Sequence, residues 1–516
     1  MDTTITNQVP WLSLLIWFPV IGGAFLLFSV GKSKQKLSQW LALIISLVTL
    51  FFCIPLYMQF DPSTHALQFV ERSVWFESIN VNYHLGVDGF SLPLIILTSF
   101  IGVIVTIAGW RNIEHRVNMY MAAFLLLTGL MNGVFAAADT ILFYVFWEAM
   151  LIPMFLVIGI WGGPNRVYAT IKFFLYTFIG SVLMLVALIY LGIKADSFVI
   201  QDLQILPVDM STQHLIFWAF LIAFAVKIPM WPVHTWLPDA HVEAPTGGSV
   251  VLAAIMLKMG AYGFLRFSLP IVPDASLYWS ETLLVLAIIA IVYIGFVAIV
   301  QRDMKKLIAY SSIAHMGFVV MGIFLVFSLM SNTKTDAAII ATQGAYFQMI
   351  SHGFISGAMF LCIGVLYDRM HSRQISDYGG VANVMPKFAG FFMLFSMANA
   401  GLPGTSGFVG EFMVILAAFQ VSPWLSISAG TTLVLAAAYT LWMYRRVMFG
   451  EVESKRVAVL NDLSAREIFI LLSLAVVVLL FGIYPQPILE LTHSSIEYLL
   501  KCGIQSKLTD GGICTL

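Results

Sequence analysis

Residues 224–263 read FAVKIPMWPVHTWLPDAHVEAPTGGSVVLAAIMLKMGAYG, and this stretch decides the fold class. It contains the ends of two apolar runs of the kind that cross a lipid bilayer as helices, yet each run holds a lysine, Lys227 or Lys258. An ionised side chain at mid-bilayer costs between about 2.5 and more than about 10 kcal/mol, so such residues persist where they meet protein, water or a partner charge. The stretch therefore predicts membrane helices buried inside a larger helical protein.

The composition of the whole chain also indicates a membrane protein. Of its 516 residues, 60% are hydrophobic and 10% are charged, whereas about 45–50% and about 25% are usual in soluble domains. So few charged residues cannot cover the surface of a soluble protein of this length. The net charge of −1 comes with no clustered basic segment, which excludes nucleic acid as a partner and leaves the lipid bilayer as the surroundings.

Windows of about 20 apolar residues predict an all-α polytopic membrane protein with fourteen transmembrane helices. The run 386–419 is long enough to require a break or a steep tilt. Eighteen of the 26 lysines and arginines fall in loops on one side of the predicted helices, and six fall on the other side. Because basic loops stay on the cytoplasmic side, both termini are expected on the periplasmic side of a bacterial inner membrane.

Two segments on the predicted outer side lie between or beyond the spans. Residues 66–86 alternate apolar and polar side chains, which fits a short β-hairpin or a plain loop. The tail from Pro487 onward has apolar residues at helical spacing and is expected along the outer interface or against a neighbouring subunit. Cys502 and Cys514 in that tail either pair or remain separate thiols.

Titratable side chains occur inside the predicted spans, where hydropathy alone would not place them. Two are acids, two are bases and two are histidines: Glu148, Glu411, Lys227, Lys258, His315 and His352. One interpretation is that the charges form static ion pairs and the histidines pack between helices. The other is a proton relay, because burial and neighbouring charges move such groups between protonation states and histidine titrates near neutral pH. Six such groups in one chain favour the relay.

Helix-breaking residues accompany two of these groups. Pro229 and Pro232 follow Lys227, and the glycines and proline of GLPGTSG at 401–407 precede Glu411. We expect broken helices 7 and 12 there, with backbone groups free to hold water or ions. If five spans form one unit and the next five form a second, the second unit runs through the membrane in the opposite direction, which permits an inverted repeat. The expected organisation is 1–118 with helices 1–3 and the outer hairpin, 119–267 as the first five-helix repeat, 279–449 as the second, and 450–516 as helix 14 with the tail.

Redox chemistry is not expected within the chain. The four cysteines match no metal-ligand spacing, and no dinucleotide-binding fingerprint follows a strand. The sequence therefore predicts no cofactor and no metal in this chain.

Several motifs resemble one known family. They are LGVDGFSLPL at 85–94, FYVFWEAMLIPMF around Glu148, the long stretch 224–263, SSIAHMGF, QMISHG and GTSGFVGEF. Together they resemble the antiporter-like membrane subunits of proton-pumping NADH:quinone oxidoreductase, respiratory complex I, over nearly the whole chain. The acid at Glu411 stands where subunits L and N of that complex usually carry lysine, so the chain resembles a further member of the set.

The resemblance implies roles for the titratable residues and for partners. Glu148 would pair with and tune Lys227, and Lys258 would be the central relay lysine. His315 and His352 would bridge toward the second half, and Glu411 would face the exit side. His234 and His241 would have secondary roles near the uptake side. Subunits L and N would be neighbours, and NADH, FMN, iron–sulfur clusters and quinone would belong to other subunits.

Three alternatives remain open at this point. The same long motif occurs in multi-subunit cation/proton antiporters and in membrane-bound hydrogenase complexes, so the chain could belong to either. A purely structural scaffold is the third alternative, in which the buried charges would be inert.

Overall fold

The computed structural model describes residues 9–29, 34–452 and 454–508. Within this part of the chain, thirteen helices are long and apolar enough to cross a membrane. They are α1 (Trp11–Ser29), α2 (Gln35–Gln59), α3 (Leu92–Asn112), α4 (Val117–Ala136), α5 (Thr140–Trp161), α6 (Arg166–Ala195), α7 (Met210–Lys227), α9 (Thr246–Ile271), α10 (Pro273–Ile299), α11 (Met304–Ser331), α12 (Thr335–Met370), α15 (Pro423–Met448) and α16 (Ala465–Ile483).

The remaining labelled elements are shorter. They are β1 (Gln68–Phe76), β2 (Val81–Val87), α8 (Trp236–Glu243), α13 (Pro386–Asn399), α14 (Ser406–Val421) and α17 (Gln486–Tyr498). The apolar run 386–419 is thus broken into α13 and α14, as its length predicted. The polytopic helical class is confirmed, and thirteen helices of the described residues, against fourteen predicted spans, are long and apolar enough to cross a membrane.

Burial identifies the centre of the protein. The most apolar stretches of α9 and α12 are completely enclosed by other parts of the chain, and that of α11 is nearly so, whereas the corresponding parts of α2 and α16 are mostly uncovered. Helix α12 contacts both α9 on one side and α14 on the other. Side chains on α12 therefore lie between the two halves of the chain.

The segment 66–86 forms the predicted hairpin rather than a plain loop. Strands β1 and β2 pair antiparallel, with Glu71 opposite Leu85. The Glu71 carboxylate accepts hydrogen bonds from the backbone N–H groups of Leu12 and Ser13, at 2.8 and 3.1 Å, and so caps the start of α1. We call the end of the helical bundle that carries this hairpin the hairpin side, and the opposite end, where most loop lysines and arginines lie, the basic side.

The tail helix α17 packs on its own chain. The sequence had predicted that it lies along the outer interface or against a neighbouring subunit. Its residues Ile488 and Ile496 are buried, and Ser495 Oγ accepts a hydrogen bond from the backbone N–H of Gly89 at 3.0 Å. A Cβ at Gly89 would lie 2.2 Å from the Leu491 carbonyl oxygen, so only glycine permits this approach. The apolar face of α17 is therefore satisfied within the subunit.

The cysteines differ in state. Cys502 is disulfide-bonded, whereas Cys53 and Cys362 are buried free thiols. Cys514, the other cysteine of the tail, lies outside the described residues, so its pairing is not assigned.

A buried row of titratable side chains

The centre of the bundle holds a lysine and a histidine in direct contact. Lys258 Nζ on α9 lies 2.7 Å from His352 Nδ1 on α12, and Nζ also donates to the Ala253 carbonyl oxygen. The two helices approach closely at Gly353, where a Cβ would lie 3.0 Å from the Ala254 carbonyl oxygen. Lys258 and His352 are both fully or almost fully buried.

A second contact pair lies on the other side of α12. His315 Nδ1 on α11 lies 2.6 Å from Glu411 Oε1 on α14, and Gln348 Nε2 donates to the same oxygen at 2.9 Å. Gly410 allows this approach, because a Cβ there would lie 2.8 Å from the Gln348 backbone nitrogen. The carboxylate is thus held from two helices at once.

The two pairs form one row. The His315 and His352 ring centroids are 5.7 Å apart, and the Nε2 of each ring has no hydrogen-bond partner among the described residues. Imidazole can accept a proton on one nitrogen and release one from the other. We name Lys258, His352, His315 and Glu411 the central row; it connects α9 to α14 through α11 and α12.

The break before Glu411 makes room for its side chain. Helix α13 ends at Asn399, Gly401 and Gly404 take positive φ angles of 76° and 89°, and α14 then begins. A Cβ at Gly401 would lie 3.3 Å from Glu411 Oε2. Glycine at this position therefore permits the positive φ angle of the turn and leaves space for the Glu411 carboxylate.

Lys227 and Glu148, which the resemblance implies as a pair, lie apart from the central row, and no hydrogen bond joins Lys227 Nζ to Glu148 among the described residues. Lys227 Nζ sits 4.9 Å from the Trp147 ring centroid and has no hydrogen-bond partner in the described part of the chain. Glu148 is half-buried, and its Oε1 is likewise unpartnered there. The two charges are near enough to interact through space, so the pairing is electrostatic and without contact.

Local sequence explains both positions. Helix α7 ends at Lys227, and the carbonyl of Val226 at that end accepts a hydrogen bond from Trp236 Nε1 at 2.9 Å. In α5, Pro153 has no N–H, so the carbonyl four residues earlier, next to Glu148, loses its helical partner. Each charge therefore lies beside an interrupted helix.

His234 and His241 lie outside the central row. His234 is mostly buried near Tyr310, with ring centroids 6.4 Å apart. His241 on α8 stacks on Phe360 with centroids 4.4 Å apart, and neither of its ring nitrogens has a described partner. Lys258 is within electrostatic reach of His241.

Two residues of the site were missed by sequence reasoning. Gln348 was not singled out, although it lies four residues before His352 and hence on the same face of α12. Lys305 was counted as a loop cation, but it is buried at 3% exposure at the start of α11. Among the described residues, no group of three histidine, cysteine, aspartate or glutamate side chains is placed to hold a metal ion.

Comparison with known families covers nearly the whole chain. Residues 137–436 match the family model described as NADH:quinone oxidoreductase/Mrp antiporter, transmembrane, and residues 14–137 match that described as NADH-ubiquinone oxidoreductase chain 4, amino terminus. The chain is 48% identical over 506 residues to NADH-quinone oxidoreductase subunit M of Rhodobacter capsulatus, covering 95% of this chain and 96% of that one. It is 43% identical over 496 residues to NADH-ubiquinone oxidoreductase chain 4 of Arabidopsis thaliana, covering 95% and 97%.

Solved structures show the same fold. A chain of respiratory complex I from Thermus thermophilus superposes with a TM-score of 0.84 at 29% identity, covering 95% of this chain and 99% of that one. A chain of the Mrp complex from Dietzia sp. DQ12-45-1b gives a TM-score of 0.83 at 19% identity, covering 95% and 97%. The second likeness concerns the fold alone.

Proposed function

Because the chain belongs to the family of antiporter-like, proton-translocating membrane subunits of NADH:quinone oxidoreductase that includes the subunit M proteins, we propose that the central row is its proton path. The subunit moves protons outward while electron transfer takes place on other subunits. NADH, FMN, the iron–sulfur clusters and quinone belong to those subunits, and the chain itself is a non-redox part of the enzyme. Its neighbours in the membrane are the antiporter-like subunits L and N.

The observation that carries this proposal is the continuity of the central row. Lys258 passes a proton from its ammonium to Nδ1 of His352, and becomes a neutral amine. The His352 ring releases a different proton from Nε2, and a bridging water can carry it to His315. His315 then hands a proton from Nδ1 to the Glu411 carboxylate. Each step moves one proton. At the end Lys258 is a neutral amine and Glu411 is protonated, and the row returns to its first state when Lys258 gains a proton and Glu411 releases one.

Lys227 and Glu148 act as the tuning pair of the first half. Adding a proton to Glu148 removes the negative charge nearest to Lys227, which favours release of a proton from that lysine. Because Glu148 is half-buried on the outer surface of the subunit, a charge on a neighbouring subunit can act on it.

The proposal includes the number of spans, the two repeats and the orientation of the chain in the membrane. Helices α13 and α14 together count as one broken span, which brings the total to fourteen. The units 119–267 and 279–449 are inverted repeats, each with a titratable group beside a broken helix, and 1–118 and 450–516 flank them. The basic side faces the cytoplasm and both termini face the periplasm of the bacterial inner membrane, because loop lysines and arginines are concentrated on the basic side.

The test replaces Glu411 with glutamine in the whole complex. The amide keeps the shape and can still accept from Gln348, but it cannot take up a proton. We expect the complex to assemble and the number of protons released outside proteoliposomes per NADH oxidised to fall. The matched control is Glu490→Gln, on the exposed face of α17, which should leave this ratio unchanged. An unchanged ratio in Glu411→Gln would overturn the proposal.

A further inference from the structure

An apolar groove runs along the surface of the bundle in its hairpin-side half. Its volume is about 680 Å³, which lies within the range of about 300–1,000 Å³ that is usual for ligand sites. The side chains that line it come from α2, α3, α12, α16 and α17, and among the described residues none of them is charged. The groove therefore offers a ligand an apolar surface formed by five helices.

Burial separates the floor of this groove from its rims. Leu97 of α3 and Ile350 of α12 are almost fully buried and form the floor. Phe51 and Ile54 of α2 and Leu480 of α16 are about half exposed and form the rims. A long, thin molecule in the groove would thus touch protein on three sides and membrane lipid on the fourth.

Contacts within the chain hold the hairpin-side end of the groove in place. Ser494 Oγ on α17 donates to the Pro62 carbonyl oxygen at 2.5 Å, and the His65 and Tyr498 rings stack with centroids 4.0 Å apart. These contacts join α17 to the segment that follows α2. The two sides of the groove are therefore held relative to each other by the chain itself.

The length of the groove matches one leaflet of a bilayer. Leu47 lies near the middle of α2 and Tyr57 lies near its hairpin-side end, and the helix rises about 15 Å between them. This rise is half of a hydrocarbon core about 30 Å thick. An acyl chain that runs from the hairpin-side surface to the middle of the bilayer would fill the groove lengthwise.

The surroundings of the groove exclude water as its occupant. Water needs polar partners, and apolar cavities stay dry. An empty groove would deprive its lining side chains of dispersion contacts. Since lipid tails are as apolar as leucine, the hydrophobic effect does not select an occupant here, and the selection comes from packing on three sides.

Charge at the hairpin-side end of the groove indicates the kind of headgroup. Neither 58–71, which follows the lining part of α2, nor 482–500, which includes α17, contains a lysine or arginine. The first charged residue after α2 is the acid Asp61, and the Tyr57 hydroxyl lies one turn before it. An anionic headgroup would find no lysine or arginine in either segment, whereas an ammonium group can bind to a carboxylate and a hydroxyl.

We propose that this groove binds a phospholipid of the hairpin-side leaflet whose headgroup carries an ammonium group, as in phosphatidylethanolamine. Its acyl chain lies between α2 and the pair α16 and α17, and its headgroup lies beside Tyr57 and Asp61.

The bound chain lies directly behind the central row. Ile350 and Phe354, which line the groove, are two residues before and two residues after His352 on α12. Leu97 on the floor packs against the next residue, Gly353, where a Cβ would lie 2.9 Å from Leu97 Cδ2. The lipid therefore covers the stretch of α12 that holds His352 and keeps water away from that side of it.

The test compares two tryptophan substitutions on α2 in the whole complex. Ile54→Trp places an indole in the groove, whereas Ile44→Trp makes the same change at a position outside it. The two isoleucines are 49% and 51% exposed, so the variants are matched in surroundings. Each complex is washed with detergent to remove loosely held lipid, and the phospholipid that remains is identified and counted by mass spectrometry. We expect Ile54→Trp to retain one phosphatidylethanolamine fewer per complex than Ile44→Trp and the unaltered complex.

Equal retention of phosphatidylethanolamine in the two variants would overturn the inference, and so would loss of an anionic phospholipid instead. A cryo-electron microscopy map of the unaltered complex gives a second measurement, which decides alone if Ile54→Trp does not assemble. We expect the density of an acyl chain between α2 and α16, ending in a headgroup beside Tyr57. Side chains of another subunit, or the tail of a quinone, in that density would show that the proposal is wrong.

Discussion

The two ends of helix α9 differ in how they are closed. At the basic-side end, Thr246 and Gly247 line a polar cavity that reaches Lys305. At the hairpin-side end, Arg266 donates partly buried hydrogen bonds to Asp88 and Ser91, at 2.7 and 3.2 Å. Of the two ends, the basic-side end borders a polar cavity, and the hairpin-side end holds a salt bridge. The two ends of the helix that carries Lys258 therefore differ in their polar surroundings.

The strongest way to break this contrast is to remove the charge at the closed end. Arg266→Met leaves Asp88 buried without its partner, which costs about 3–5 kcal/mol of stability. We expect a lower unfolding temperature of the assembled complex and faster passive decay of a pH gradient across proteoliposomes without NADH.

A double variant provides the control for that prediction. Asp88→Asn combined with Arg266→Met removes both charges, so much of the stability should return. The passive proton leak should persist, because the guanidinium is still missing. If Arg266→Met alone is as stable as the unaltered complex and shows no added proton leak, the contrast between the two ends of α9 is wrong.

A smaller effect is expected from adding a methyl group on either side of Lys258. In Gly260→Ala, the new Cβ would lie 2.7 Å from the Phe224 carbonyl oxygen, and backbone cannot give way, so we expect a loss of about 1–3 kcal/mol. In Gly247→Ala the nearest atom is the Tyr120 hydroxyl at 2.6 Å, which is the far end of a side chain that borders the cavity, not backbone. The unfolding temperature of the complex should fall clearly for Gly260→Ala and little for Gly247→Ala. Equal falls would contradict the expectation that the basic-side end of α9 tolerates an added methyl group better.

As the pH falls, the β1–β2 hairpin should lose stability before the hairpin-side end of α9 does. Burial lowers the pKa of His84 on β2 to about 4, with Arg72 contributing, from its ordinary value of 6.5. The folded hairpin holds this histidine neutral, so its contribution to stability is complete above pH 6.5 and is lost as the pH falls from 6.5 to about 4. By pH 5 the expected loss is about 1–2 kcal/mol.

Hydrogen exchange of the backbone amides of 81–87, corrected for the intrinsic effect of pH, measures that change. Exchange should accelerate below pH 6.5 in the unaltered protein, and His84→Asn should remove the pH dependence. Equal pH dependence in both proteins would rule out His84 as the cause.

The smallest effect is expected for an ion pair on the basic side. Lys172 Nζ and Asp239 Oδ2 are 2.7 Å apart, but the carboxylate is 31% exposed. A partly exposed pair contributes about 0–1 kcal/mol, so Lys172→Met should change the unfolding temperature little. A loss as large as that of Arg266→Met would show that exposure does not separate the two ends.

Hydropathy predicted the membrane class and most of the spans because apolar length is a local property. The lysines Lys227 and Lys258 could also be found from sequence, since each interrupts an apolar run near its middle. The break within 386–419 followed from its length and its glycines. These features need no knowledge of which helices are neighbours.

Residues near the ends of spans were predicted less well. Lys305 and Arg266 were counted with the loop cations, because long basic side chains at helix ends usually reach the membrane surface. Lys305 is buried instead, and the Arg266 side chain is largely covered, with 14% of it exposed. Their burial depends on packing between distant parts of the chain, such as the bond from Arg266 to Asp88 across 178 positions. The contact between Gln348 and Glu411 has the same origin.

The wide turn Leu252–Met256 of α9 has a consequence for how Lys258 can be controlled. This turn is π-helical, and the oxygen of Ala253 within it accepts from the Lys258 ammonium five residues later. A main-chain oxygen keeps the same charge at every pH, so it is a constant anchor for the ammonium. The titratable side chain in hydrogen-bond contact with Lys258 is His352, so a change of charge on that ring changes the electrostatic field at the ammonium.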